Sequence, residues 1–373
     1  MNNLFDVIVV GAGLAGSSAA IHLVSRGYSV LLLEKHFYPV HKLCGEFLSG
    51  ESQTYLHRLG VLEAVRDAGA QQINHALIGT RKGRRYTLRL RRHGLGISRF
   101  SLDHILMVRA VAAGVTVRQG LTVKEIEGDL DTGFTVATDT GVFASRIVIG
   151  AYGKRSTLDR KLERGFLDSS RAHVAFKAHF EGAADADVVE LHAFDGGYLG
   201  LCPLGRNVVN ACWIGHETML RDSAGDPDEM LRRIQADNPY LGERMRTLER
   251  IPSSYLATSQ LYFRSKGAMK ADVAMVGDAA GLIAPMSGDG MSMALRSSEI
   301  LVPYVDRYLR GRVDAEDFRR RYARRWQFEF MLRMQVGYWL HEGFCTPRAA
   351  ETGVAIARGV PLLGRALMRA TRG

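Results

Sequence analysis

The sequence predicts an α/β fold in which a parallel-sheet domain is interleaved with an antiparallel-sheet domain and followed by a C-terminal helical segment. Three observations predict it. A short apolar run near the N-terminus enters a glycine-rich turn and a helix, a second strand with a glycine turn lies near residue 280, and the chain between them is rich in strand-like alternation. At 373 residues the chain exceeds one average domain, and no internal repeat or low-complexity linker divides it. Interleaved domains are therefore expected rather than domains strung in line.

Phe5 to Val10 has the continuous apolar character of a strand buried on both faces. Gly11-Ala12-Gly13-Leu14-Ala15-Gly16 opens a helical stretch to about Arg26, with Ala19, Ala20 and Leu23 at core spacing. Gly27 stands where a helix-ending glycine belongs, and Tyr28 to Leu33 forms the next strand, closed by Glu34. A looser segment from His36 to Glu51 precedes a helix ending near Gly60. From Leu77 to Leu90 the pattern is strand-like about a turn at Lys82-Gly83; Tyr86, Leu88 and Leu90 alternate with Thr87, Arg89 and Arg91, giving one apolar and one cationic face. Ser101 to Ala113 reads as a helix with Ser101 as its N-cap. Strands are expected at Val115–Val117, Leu121–Ile126, Phe134–Thr138 and Val142–Ile149, with more between Ala172 and Cys212. A charged helical piece from Pro227 to Arg250, a strand from Asp272 to Val276 and a helix from Gly288 to about Leu309 follow, and beyond Gly311 the chain reads helical and basic. These spans give residues 1–75, 99–165 and 265–310 to the parallel-sheet domain, 76–98 and 166–264 to the antiparallel one, and 311–373 to the C-terminal helical region.

Hydrophobic residues at 46% and charged residues at 24% are ordinary for a globular protein, and 40 glycines against 9 prolines suit tight turns between strands and helices. Cys44, Cys202, Cys212 and Cys345 include no C-x-x-C pair, so neither a zinc site nor a disulfide framework is expected and a cytoplasmic setting is. No signal-peptide pattern precedes the first strand, and no apolar run reaches the roughly 18 residues of a membrane span. The net charge of +10 raises nucleic acid, anionic lipid or an acidic protein as partners. Neither zinc-finger spacing nor an aromatic RNA-binding pattern is present, which argues against nucleic acid.

A lone G-x-G-x-x-G is weak evidence, but here it follows a buried strand, opens a helix and precedes a strand ending in Glu34, the full Rossmann context. Gly11 permits the tight turn, Gly13 lets the backbone approach a pyrophosphate, and Gly16 allows the helix to pack on the strand. Ala12, Ala15 and Lys35 belong to the same contact set. The helix start offers free N–H groups and a positive dipole end to phosphate. Glu34 lies roughly 20 residues beyond the glycines, the place of a carboxylate that binds an adenosine ribose and disfavours a 2′-phosphate. The motif alone leaves NAD and FAD open. A second anchor, Val273 to Asp278 running into Ala279-Ala280-Gly281-Leu282-Ile283-Ala284-Pro285-Met286-Ser287-Gly288-Asp289-Gly290-Met291, favours the longer FAD. Asp278 is expected on ribityl hydroxyls, and the helix start at Gly288 to Met291 on the carbonyl edge of the ring.

Asp6 to Glu34, taken with Val276-Gly277-Asp278 through Pro285, resembles the para-hydroxybenzoate hydroxylase-like flavoprotein superfamily of aromatic hydroxylases, flavin halogenases and geranylgeranyl reductases, over roughly residues 5–305. The resemblance implies FAD as cofactor and NADPH or NADH as a transient reductant. It also implies Arg99 and Asp103 at a helix start beside the cofactor, and Val123 against adenine. The family's Asp-Gly motif appears as Gly150-Ala151-Tyr152-Gly153, with tyrosine in place of aspartate, so a partner reductase is an alternative electron source.

Lys42-Leu43-Cys44-Gly45-Glu46 corresponds to the loop along the flavin, and its Lys-x-Cys-Gly pattern resembles the reductase branch. Cys44 is a candidate proton donor or a small packing residue; Lys42 is a candidate partner of pyrophosphate or substrate, or a solvated loop lysine. Tyr198, Gly200 and Pro203 fall where the halogenase branch carries Trp-x-Trp-x-Ile-Pro. Neither tryptophan is present, so halogenation is not expected, and Gly200 leaves room for a bulky substrate. Cys202, Cys212 and Trp213 read as sheet core. His36, His41, His93, His173 and His192 have no metal-ligand spacing, and no metal site is expected.

Three functions follow. The superfamily's commonest chemistry is hydroxylation or epoxidation through a flavin hydroperoxide, here of a bulky substrate, carrier-bound or lipid-like. Reduction of a carbon–carbon double bond, with Cys44 completing proton transfer, is the alternative that Lys-x-Cys-Gly favours. Tyr152 supports a third, a non-catalytic flavin-binding redox sensor. Arg81, Lys82, Arg84, Arg85, Arg89, Arg91 and Arg92 crowd one hairpin without an interleaved acid, which suggests a carrier protein, phospholipid headgroups or an acidic substrate. Val354, Ile356, Leu362, Leu363, Leu367 and Met368 mix with Arg358, Arg365, Arg369 and Arg372 in a segment suited to peripheral membrane contact or to capping a substrate channel, and Pro361 favours the cap.

Overall fold

The first apolar run becomes the Leu4–Val10 strand; its successive side chains point to opposite faces, and Val7, Ile8 and Val9 are all fully buried because core residues cover both faces. The computed structural model describes residues 4–168, 173–182 and 185–359. Leu4–Val10 pairs in parallel with Val30–Glu34 and with Val142–Gly150; these in turn pair in parallel with Thr116–Gln119 and Val273–Met275. Met269–Lys270 adds an antiparallel edge, and Val123–Asp129 with Gly133–Thr138 forms an antiparallel excursion from Val142–Gly150. The Leu14–Val24 helix packs between Arg99–Ala112 and Gly290–Leu309. Its almost continuous burial explains why small residues such as Ala15, Ser18 and Ala19 dominate it.

Among the described residues the second sheet has eight strands in the order Glu249–Ser259, His173–Glu181, Val208–His216, Gly197–Gly205, Val188–Phe194, Gln71–Gly79, Arg85–Gly96, Phe47–Leu48. All its pairs are antiparallel except Val188–Phe194 with Gln71–Gly79. One face, carrying Phe176, Leu199 and Trp213, is covered by the Pro227–Asp237 and Pro239–Met245 helices. The opposite face, carrying Ala175, Tyr198 and Ile214, meets Phe344 and Ala350 of the C-terminal helices Ala315–Phe344 and Pro347–Gly359. Residues 360–373, with the apolar and basic positions from Leu362 to Arg372 and with Pro361, lie outside the described residues.

Several sequence readings shift. The helix expected from Ser101 begins at Arg99, and its N-cap is Ser98, whose Oγ accepts from Ser101 N–H. Serines at both positions fit an N-cap, and the extended backbone belongs to Ser98. The helical piece expected to reach Arg250 gives way to the Glu249–Ser259 strand; Ser254 is its sole buried residue, so no apolar alternation announced it. The second sheet also takes in Phe47–Leu48 and begins at Gln71. The basic hairpin receives acids from other segments: Arg81 pairs with Asp237 at 2.5 Å and Arg84 with Glu351 at 3.6 Å.

Candidate cofactor and substrate site

The fingerprint glycines divide by what surrounds them. A Cβ on Gly16 would fall 1.8 Å from the Gly11 carbonyl oxygen, and one on Gly11 would fall 2.5 Å from that of Ala151, at a φ of +106°. Both are required by packing. Gly13 differs: its nearest neighbour would be Arg99 Nη2 at 3.7 Å. It stands at the start of the Leu14–Val24 helix, where no side chain caps the first N–H groups. Buried Glu34 accepts the Ala12 N–H at 2.9 Å and the Tyr38 hydroxyl at 3.3 Å, so it braces the turn as well as lying where a ribose would bind. Lys35 is exposed, and Val123 is buried in the core.

The second turn leaves Val273–Met275, passes Gly277 at φ +60° and Gly288 at φ +65°, and enters the Gly290–Leu309 helix, which also lacks a side-chain cap. Its position is set by a chain of lysines. Lys266 Nζ donates to the carbonyls of Asp278 at 2.9 Å and Lys154 at 2.6 Å, and Lys154 Nζ donates to the Leu43 carbonyl at 2.8 Å. Burial lowers the Lys266 ammonium to about 8, with Asp278 opposing the shift. Arg99 makes a bidentate pair with Asp103 at 2.6 and 2.7 Å. Burial alone would lower the guanidinium's pKa, and the Asp103 carboxylate more than reverses that.

The ring-side loop is clamped from behind. Glu46, fully buried at φ +58°, accepts Lys177 Nζ at 2.5 Å, His179 Nε2 at 2.6 Å and the Arg99 N–H at 2.7 Å. Burial pushes its carboxyl up, but the bonds from His179 and Lys177 outweigh that and hold it below the usual range. Lys177 also donates to the Lys42 carbonyl, and Asn210 to that of Cys44. Sequence reasoning missed this triad. Its signal was Lys177 and His179 two residues apart on one face of an otherwise apolar strand. Lys42 itself does not line the cavity; its ammonium lies 5.3 Å from the centre of the Tyr38 ring.

Tyr152 points its hydroxyl at Asp159 Oδ1, 3.2 Å away, and receives Arg164 Nη1 at 3.2 Å. Arg164, buried, also binds the carbonyls of Ala279, Lys266 and Gly267. The tyrosine that replaces the family aspartate is thus part of a strut beneath the second turn.

A cavity of about 490 Å³ touches Gly13, Ala15, Cys44, Gly45, Arg99, Ala151, Gly153, Gly277, Asp278, Pro285, Gly288, Gly290 and Met291. Among the described residues, a Cβ on Gly45 or Gly153 would meet nothing within 4 Å, and one on Gly290 only Ile283 at 3.7 Å. Open glycine backbone beside two uncapped helix starts fits an extended, phosphate-bearing cofactor such as FAD. The same cavity continues into an arm walled by Ile78, Leu88, Leu191, Phe344 and Val354. Tyr198 and Gly200 line it; Pro203 does not, being turned towards Gly96. Cys202, Cys212 and Trp213 are packed in the sheet and form part of the wall as well, and burial pushes the Cys212 thiol up to about 12. His173, His341 and Cys345 come together beside Tyr198, although their separation in sequence hides it.

The chain is 27% identical over 323 residues to a menaquinone reductase of Mycobacterium tuberculosis, covering 81% of this chain and 76% of that one. It is 28% identical to digeranylgeranylglycerophospholipid reductase 2 of Methanopyrus kandleri, covering 87% and 83%. In fold it is similar to the flavin-dependent brominase Bmp2, with a TM-score of 0.83, 18% identity, and 99% of this chain and 93% of that one covered. The model of the family described as "FAD binding domain" matches residues 5–325, which takes in both glycine turns and the strands between them. The chain belongs to that family of FAD-binding oxidoreductases.

Proposed function

We propose that this protein is a FAD-dependent reductase of carbon–carbon double bonds in an elongated, apolar, lipid-like substrate. The observation that carries the reading is the cavity, continuous from the glycine-ringed end to the apolar arm between the second sheet and the C-terminal helices. In this reading Gly13, Ala15, Glu34, Arg99 and Asp278 hold the FAD, and Tyr198 and Gly200 face the substrate. When bound and reduced, the FAD would supply the hydride for the double bond. Cys44, on the wall beside the open Gly45, gives the proton to the neighbouring carbon. The apolar arm keeps water away and holds the chain of the substrate by burial alone. Electrons come from NADPH or NADH, directly or through a partner reductase. The Mycobacterium and Methanopyrus relatives, 27% and 28% identical, are both named reductases, which supports the choice.

The arm's mouth suits delivery from a lipid surface. Trp339 lines the cavity yet is 64% exposed, and Phe328 and Leu332 lie exposed along the same helix. The basic hairpin is tied to the neighbouring Pro347–Gly359 helix, through the Lys82 N–H and the Arg84 side chain on Glu351. Oxygen-dependent hydroxylation or epoxidation is the second reading. The apolar wall supports it as well, because such chemistry requires water to be kept out and no further acid from the protein.

The test uses full-length, FAD-loaded protein, reduced under anaerobic conditions and mixed with polyprenyl quinones and unsaturated isoprenoid lipids in micelles. Reduction predicts product that forms without oxygen and stays heavier by two hydrogens in its isoprenoid chain after any quinol has been reoxidised in air. Product heavier by one oxygen atom, formed in air alone, establishes the second reading. Failure to transform any of these lipids under either condition overturns both.

A further inference from the structure

We propose that His173, His341 and Cys345 form a binding site for a cation of the zinc class at the junction of the antiparallel sheet with the C-terminal helices. One ligating atom from each lies within 4.8 Å of the others. His341 and Cys345 are four residues apart at the end of the Ala315–Phe344 helix, so they share a face, and Cys345 Sγ lies 3.9 and 4.0 Å from the two ring nitrogens of His341. His173 opens the His173–Glu181 strand and brings its ring to 5.0 Å from that of His341. Two imidazoles and a thiol, one pair on a helix turn and the third from a neighbouring element, are the ligand types and spacing that tetrahedral zinc takes.

The surroundings support ligation. Imidazoles that bind metal are oriented by a partner on the other ring nitrogen. Here the Tyr198 oxygen lies 3.2 Å from His341 Nδ1 and is itself fixed by the Met286 N–H at 3.1 Å. A bond from Nδ1–H to that oxygen leaves Nε2 as the ligand. Rings of Phe263 and Tyr198 close around His341 and keep the site apolar. Nitrogen and sulfur ligands of a tetrahedral ion lie roughly 3.5 Å apart, so the loosest pair closes by about 1 Å on binding. The Cys345 thiol then releases its proton to solvent, no electrons move, and a fourth position remains for water. The site ties the start of the His173–Glu181 strand to the helix that carries Phe344, and so fixes the width of the cavity arm.

Metal-stripped, full-length protein is titrated with Zn²⁺ and, separately, with Co²⁺ as an absorbing substitute. Expected are one retained equivalent of zinc by elemental analysis after desalting, visible Co²⁺ bands of tetrahedral intensity with a thiolate charge-transfer band in the near ultraviolet, and a rise in Tm of several degrees. Cys345→Ser and His173→Gln are expected to lose all three while keeping their circular dichroism; His173, half-buried at a strand end, provides a variant that folds if the cysteine variant does not. No zinc retained at one equivalent by the parent overturns the proposal. So does retention undiminished in either folded variant, or retention without the thiolate band, each of which puts the ion elsewhere.

Discussion

Gly13 and Gly16 are three residues apart in one motif and make opposite demands. A Cβ at Gly16 cannot coexist with the Gly11 carbonyl, whereas a Cβ at Gly13 enters open space next to Arg99. Gly16→Ala is therefore expected to unfold the first turn, costing about 3 kcal/mol or more in urea melts. Gly13→Ala is expected to fold with an unchanged midpoint and to lose FAD affinity by at least about tenfold, read by fluorescence titration. Equal effects of the two on stability would show that the motif is structural only. Cys44 is tested by chemistry alone: Cys44→Ala is expected to keep its FAD and to slow single-turnover double-bond reduction by about 10²-fold, within the ordinary range for removing a proton donor. An unchanged rate assigns the proton to another group. The tight turn at these glycines was legible in sequence because its packing demands are local. Glu34's bond to Ala12 N–H was not, because a carboxylate at a strand end reads as a ligand contact and carries no mark of the turn it braces.

At the scale of elements, two buried groups on the His173–Glu181 strand reach across to a loop more than a hundred residues earlier, and sequence spacing says nothing of such a contact. Lys177→Met leaves the Glu46 carboxylate buried with one partner fewer, and is expected to cost about 3–5 kcal/mol. Adding Glu46→Gln is expected to recover part of that loss, because the orphaned charge is then gone. Additive losses in the double variant would mean that the two do not act as a pair. The Glu46 carboxyl is held below the ordinary glutamate value of 4.5, so the unfolded chain binds its proton at higher pH than the folded one. The stabilisation is full above about pH 4.5 and is lost as the pH falls through the lower folded value. Stability of the parent is thus expected to fall more steeply below about pH 4.5 than that of Glu46→Gln; parallel profiles would refute the linkage. The same dependence on distant partners explains the Glu249–Ser259 strand, which lies at a sheet edge with polar residues on both faces and shows no period of its own.

At the scale of the whole molecule, the proposed function requires an apolar substrate to reach a cavity walled by the core. Phe328, Leu332 and Trp339 follow one stripe of the Ala315–Phe344 helix, 84%, 70% and 64% exposed, and the stripe ends where Trp339 joins the cavity wall. Moving such side chains out of water is worth roughly 1.5–3 kcal/mol each, which a lipid interface supplies and bulk water does not. The net charge of +10 adds attraction to anionic headgroups, screened over about 10 Å at moderate salt. The protein is accordingly expected to co-sediment with vesicles containing phosphatidylglycerol, less so as salt rises. Replacing Phe328 and Leu332 together with serine is expected to weaken this by about 10²-fold or more while leaving FAD content and Tm unchanged, since both are exposed and neither lines the cavity. Turnover of a lipid substrate should then fall in vesicles and persist in detergent micelles, where delivery no longer depends on docking. Loss in both settings would mean that the stripe shapes the cavity itself, and sedimentation unaffected by the substitutions would move the lipid contact to another face.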